Sequence, residues 1–140
     1  MNRTLGWSPT VDTKGRERIE VVGKAVVTSA IRVHRVLGPG LLESAYQTCL
    51  TIELRSAGFA VETEVRIPIE YRGRSLDVGY RLDMLVDRAV IVENKAVERL
   101  LPIHTAQLLT YLELSGHRLG FLLNWNVKLM KEGIHRFVMG

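Results

Sequence analysis

Three ionisable residues stand where a charge is costly: Asp83 and, ten positions later, Glu93 followed by Lys95. They interrupt two short apolar runs in Tyr80-Arg-Leu-Asp83-Met-Leu-Val-Asp87-Arg-Ala-Val-Ile-Val-Glu93-Asn-Lys95. Strand-like runs of this kind are made to be buried, and a buried charge must be paired or must hold a metal. Two acids and a lysine so placed suit a divalent-metal site for cutting phosphodiester bonds.

The spacing gathers the three at one spot. Asp87-Arg88-Ala89 reads as a three-residue hairpin turn, without the glycine such turns favour. A turn centred on Arg88 sets Val86 opposite Val90 and Asp83 opposite Glu93. Opposed residues share a face, with Cβ atoms about 5 Å apart, and Lys95, two residues on, points the same way. Leu82, Met84 and Val86 alternate with Arg81, Asp83 and Leu85, which turns Asp83 away from the Leu82 side. Two facing carboxylates repel, so at least one has a raised pKa if the pair is left alone. A divalent cation removes that conflict, and oxygen ligands with open positions suit Mg2+ or Mn2+. Such a cation polarises a phosphoryl oxygen and lowers the pKa of a bound water. Lys95 is suited to orient the attacking water or to stabilise charge building on the phosphate. The structural alternative is a salt bridge from Lys95 to one or both acids on a half-exposed sheet.

The elements that position these residues follow from periodicity. Residues 1 to about 15 are polar and read as a loose tail. Apolar residues at 19, 22, 26, 30, 33 and 37 predict a helix over Ile19 to Leu37, broken by Gly38-Pro39-Gly40. Leu41 to Ala57 reads as a second helix, with Gly58 as its left-handed cap. Val61 to Tyr71 is a strand by its alternation at 65, 67, 69 and 71, and Pro68 within it favours an edge or a bulge. Strands follow at Ser75 to Val86 and Ala89 to Ala96. Pro102 opens a helix at Ile103 to Leu114, ended by Gly116. Arg118 to Asn124 and Ile134 to Val138 are the last strands. The predicted division is a flexible tail over 1–16 and a single domain over 17–140.

The chain has 140 residues, 46% hydrophobic, enough for one core. Nineteen Lys and Arg against fifteen Asp and Glu give a net charge of +4, a mild basic bias compatible with nucleic acid. Cys49 is the sole cysteine, which excludes internal disulfides and cysteine-rich metal sites and fits a reducing, cytoplasmic setting. No apolar stretch reaches the length of a membrane helix, and no signal peptide is apparent, so no membrane role is expected.

Other residues extend the candidate site. Gly40, Glu43 and Tyr46 are three apart, near one face at the start of the second helix. Glu43 is either a favourable charge at the helix dipole or a further carboxylate facing the metal, with Tyr46 packing or hydrogen bonding beside it. Gln107 and Tyr111 share a face of the third helix. Gln107 is either a surface amide or a group reaching the scissile phosphate or a metal-bound water, and Tyr111 reads as core. The four histidines have no metal-ligand spacing and read as structural or surface. Asn124-Trp125-Asn126 ends a strand. These residues suit either a turn or a phosphate contact, with Trp125 stacking on a base.

The motifs together resemble the GxxExxY proteins, a branch of the PD-(D/E)XK nuclease superfamily. They are Leu37-Gly-Pro-Gly-Leu-Leu-Glu43-Ser-Ala-Tyr46, Ile52-Glu-Leu-Arg, Tyr71-Arg-Gly, Arg81-Leu-Asp83, Val92-Glu93-Asn-Lys95, Ala106-Gln107-Leu-Leu-Thr-Tyr111-Leu and Leu122-Leu-Asn124-Trp-Asn126, in order from about Ile19 to Val138. The resemblance implies an α/β fold with a restriction-endonuclease-like core, a mixed β-sheet flanked by helices. It assigns Asp83, Glu93 and Lys95 to the Asp…Glu-x-Lys signature, Glu43 to the helical glutamate and Gln107 to the following glutamine. Asn94 stands where the family usually has an apolar residue, and the proline before Asp83 is absent. The expected function is metal-dependent phosphodiester hydrolysis, with Glu43, Asp83 and Glu93 holding Mg2+ or Mn2+. The expected partner is nucleic acid, DNA ahead of RNA, with a homodimer or a specificity-giving protein partner as further options. The alternative is a catalytically silent module with the same fold that binds nucleic acid or protein.

Overall fold

The helical spacing from Ile19 is realised in α1 (Thr13–Leu37), the first element of a computed structural model that describes residues 13–140, the Val78 side chain excepted. One stripe of α1 buries Val22, Val26, Ala30 and Val33, the spacing of a helix with one face in the core. The helix starts before Ile19, and its first turns, Thr13-Lys-Gly-Arg-Glu-Arg18, are polar and carry no apolar period, which is why periodicity does not show them. It therefore includes 13–16, which had been assigned to the tail; residues 1–12 lie outside the described residues.

The second helix, α2, spans Glu43–Ser56 and is shorter than expected. Leu41 and Leu42 remain outside it, exposed, with Leu42 extended at φ −71° and ψ 150°. Gly58 follows with φ 95°, and the Phe59 N–H bonds the Leu54 carbonyl at 3.1 Å, the left-handed glycine cap expected there.

Among the described residues five strands form one sheet: β1 (Val61–Tyr71), β2 (Arg74–Val86), β3 (Val90–Lys95), β4 (Leu119–Asn124) and β5 (Ile134–Val138), in the order β1-β2-β3-β4-β5. Helix α3 (Pro102–Ser115) connects β3 to β4, which pair in parallel, and all other neighbours are antiparallel. This is the expected α/β arrangement, a mixed sheet flanked by helices. Strand starts lie within one residue of those expected, and a short 3-10 turn at Met130–Glu132 is additional. Pro68 lies on edge strand β1, where the register with β2 slips between Ile67 and Ile69. Across the slip, a Cβ on Gly79 would lie 2.1 Å from the Ile67 carbonyl oxygen, so only glycine fits.

The sheet is buried on both faces. Met84, Val86, Val90, Val92, Phe121 and Leu123 pack with α1 and α2. Leu85, Ile91 and Leu122 pack with Leu108, Tyr111 and Leu112 of α3. Leu82 joins the α3 side although Met84 and Val86 are on the other, so the simple alternation expected through Asp83 fails. The cause is local: Glu64 of β1, between the pairs Thr63–Met84 and Val65–Leu82, takes a left-handed φ of 55°.

Candidate active site

The hairpin that carries the acids turns without glycine. Asp87 and Arg88 both have φ 53°, and the Ala89 N–H closes the turn on the Val86 carbonyl at 3.0 Å. Aspartate tolerates the left-handed region better than most residues. The Asp87 carboxylate is also held from outside, accepting the Ala60 N–H at 3.0 Å and pairing with Arg18. The turn sets Val86 opposite Val90, as expected, followed by Leu85–Ile91 and Met84–Val92.

Beyond Met84–Val92 the ladder stops and the side chains take over. The Asp83 N–H donates to Glu93 Oε2 at 2.7 Å, and the Asn94 N–H donates to Asp83 Oδ2 at 2.8 Å. Each carboxylate thus has one oxygen fixed to the neighbouring strand. No hydrogen bond among the described residues holds the other oxygen. The continued register and these two bonds bring Asp83 and Glu93 together at the fork.

Neither acid is comfortable there. Burial, and then the charge of Asp83, push the Glu93 carboxyl up to about 8. Burial also raises Asp83, more than its Asn94 hydrogen bond and the Lys95 charge lower it. Lys95 is half-buried, and its charge favours ionisation of both acids, yet it makes no ion pair among the described residues. A hairpin closed by a salt bridge would need that pair.

The remaining candidates surround the fork. Glu43 is the first residue of α2 and is exposed; its Oε2 accepts the Ala96 N–H at 3.3 Å, and its charge reaches Asp83. Tyr46 positions that helix start: its hydroxyl donates to the Gly38 carbonyl at 2.6 Å and accepts the Leu41 N–H at 3.1 Å. Gln107 is half-buried on α3, one turn before Tyr111, and makes no hydrogen bond among the described residues. Tyr111 is close enough that burial, then Glu93 and Asp83, push its hydroxyl up to about 12. Tyr111 therefore borders the site as well as filling the core. Glu64 was not anticipated. Its charge raises both acids, and its carboxylate accepts from Gln47 at 3.0 Å and pairs with Arg81 at 3.8 Å. Nothing in the local sequence distinguishes it from Glu62; the backbone kink does.

Asn94 faces away from the acids and is buried. Its side chain donates to Met84 Sδ at 3.2 Å and to Gln47 Oε1 at 3.4 Å, and accepts the Trp125 indole N–H at 2.9 Å. A polar residue is tolerated in an apolar position because its partners are present. Asn94→Ala strands the indole N–H and is expected to cost about 2 kcal/mol, read as a lower denaturation midpoint with an unchanged slope. Trp125 is fully buried, stacked on Tyr46 at 4.8 Å, so it has no free face for a base. Asn124 is also structural, bonding both the N–H and the carbonyl of Val97. Two histidines have structural partners: His34 bonds the Val127 carbonyl at 2.9 Å, and His104 accepts the Leu101 N–H at 3.0 Å.

Hard oxygen donors at the fork fit a magnesium-type cation. Burial and mutual repulsion are the two costs that a cation between the acids would offset. Among the described residues no three acid, histidine or cysteine side chains form a group that could hold a metal ion. The fit therefore rests on Asp83 and Glu93. Among the described residues, no helix is long and apolar enough to cross a membrane. Comparison with curated proteins and with solved structures gives no match. A family model described as the PD-(D/E)XK nuclease superfamily matches residues 20–137. With that match spanning most of the chain, and an Asp and a Glu-x-Lys meeting at the fork of its central hairpin, the protein belongs to the PD-(D/E)XK nuclease superfamily.

Proposed function

We propose that the protein is a metal-dependent nuclease of the GxxExxY branch, hydrolysing phosphodiester bonds of nucleic acid, DNA ahead of RNA. The observation that carries this is the fork, where two carboxylates, each with one oxygen pinned to backbone, are held together although both resist ionisation. A purely structural hairpin gains nothing from that conflict.

In this reading Asp83 and Glu93 would hold Mg2+ or Mn2+, with Glu43, whose charge reaches Asp83 although it forms no three-membered group with the pair, as a further carboxylate from the start of α2. When bound, the ion supplies Lewis-acid activation of the phosphoryl oxygen and of water. Glu93 gives up its proton as the ion binds, which makes metal affinity rise with pH. The Lys95 ammonium, unpaired among the described residues, neutralises charge building on phosphorus. Gln107 positions the phosphate or the attacking water. A chain of this size has little surface for reading sequence, so recognition by structure or end, or through a partner or second copy, is favoured.

The test is turnover on end-labelled single- and double-stranded DNA and RNA, with Mg2+ or Mn2+ and with chelator. Shortened products that need the metal and vanish in Asp83→Asn are expected. Intact substrates in every combination at millimolar metal would leave a silent binding module with the same fold.

A further inference from the structure

Strands β1 and β2 run far past the short strand β3. Residues 66–81 therefore form a two-stranded arm. From its Arg74 end to Asp83 the arm reaches roughly 30 Å at strand rise. It carries Arg66, Arg72, Arg74 and Arg81 against Glu70 and Asp77, and no lysine. Its net charge of +2 is half that of the whole chain.

Aromatic placement is more telling. Tyr71 is 61% exposed and Tyr80 39%, and these are the only exposed rings of phenylalanine, tyrosine or tryptophan among the described residues. Both are on the arm. Tyr71 sits at its tip, opposite Arg74, with the Arg72 guanidinium 5.6 Å from its ring centroid. Tyr80 sits at its base, 5.1 Å from the ring of Tyr111, which borders the acids. Arg72 and Arg74 make no ion pair among the described residues, whereas Arg66 pairs with Asp77 and Arg81 with Glu64.

Exposed rings interleaved with unpaired arginines are the means by which proteins hold unpaired bases and their phosphates. In a duplex the base faces are hidden in the stack, so such rings have little to stack on. We infer that the β1–β2 arm is a binding track for single-stranded nucleic acid. Tyr71 and Tyr80 stack on bases, and Arg72 and Arg74 neutralise phosphates. The track is continuous with the acids through Tyr80 and Tyr111. This deepens the nuclease reading and rests on it for its meaning, though the binding itself does not.

The test is fluorescence anisotropy of a labelled 12-nucleotide oligothymidylate with the full chain in chelator, where no turnover occurs. The native chain is expected to bind it more tightly than a duplex of the same length. Tyr71→Ala and Tyr80→Ala are each expected to weaken binding about 5- to 150-fold, the scale of one stacked base. Tyr80→Phe is expected to restore it. Arg72→Gln with Arg74→Gln is expected to lower the slope of log affinity against log salt by about 1.4, two phosphates of a single strand. Tyr71 touches Arg72 at the arm's tip, so its variant stays informative if Tyr80→Ala fails to fold. Duplex binding equal to or tighter than single-strand binding, no native binding at low salt, or arm variants that bind like native would each overturn the inference. Arm-dependent binding without cleavage in metal would keep it and sink the nuclease reading.

Discussion

Glu93→Gln is expected to stabilise the metal-free protein at pH 8 by roughly 2–4 kcal/mol, discounted from the full linkage value, while abolishing cleavage. The folded-state pKa of Glu93 is raised to about 8 from an ordinary 4.5, first by burial and then by the Asp83 charge. Between those values the folded chain keeps a proton that the unfolded chain has lost. Stability from this group is therefore present below about pH 4.5 and lost as pH rises towards 8. Asp83 shifts in the same direction, and the two titrate as a pair. Glutamine still accepts the Asp83 N–H but carries no charge to desolvate. Denaturant unfolding in chelator at pH 5 and pH 8 is the measurement. The native chain should lose stability relative to the variant as pH rises. Parallel curves for the two proteins would mean that Glu93 ionises freely and that the fork is not strained by charge.

Lys95→Met should act on catalysis alone, lowering cleavage about 10²–10³-fold with little change in folding stability. The Lys95 side chain makes no ion pair or hydrogen bond among the described residues, so its loss breaks neither. Its field does favour ionisation of both acids. Removing it should therefore move the rising limb of the pH–rate profile to higher pH. Single-turnover rates from pH 6 to 9, beside thermal melts, separate the two effects. A variant that melts many degrees lower yet cleaves normally would make Lys95 a structural residue.

The central hairpin was the most legible part of the sequence, because a turn at Asp87-Arg88-Ala89 and a period of two leave one register for Val86 and Val90. That register brought Asp83 to Glu93. The finer geometry was hidden. Alternation predicts which way Asp83 points only on a regular strand, and the left-handed Glu64 beside it ends that regularity. No residue type signals such a kink. The helix starts were missed for a different reason: the first turns of α1 are polar, and Leu41 and Leu42 mimic helix periodicity while Tyr46 holds them outside it. Trp125 shows the limit of reading aromatics as base-stacking groups. Its exposure depended on Asn94, Tyr46 and His34, which are far apart in sequence and close the pocket around it. Pro68 was legible because a missing N–H allows few places in a sheet, and an edge strand with a register slip is among them.

The most direct measurement is Mg2+ and Mn2+ titration by calorimetry on the native chain and on Asp83→Ala, repeated at pH 6.5 and pH 8. Binding by the native chain that strengthens with pH, releases a proton at the lower pH and disappears in Asp83→Ala is the expected result. Heats indistinguishable from dilution at millimolar metal, or binding untouched by Asp83→Ala, would contradict a metal site at the fork.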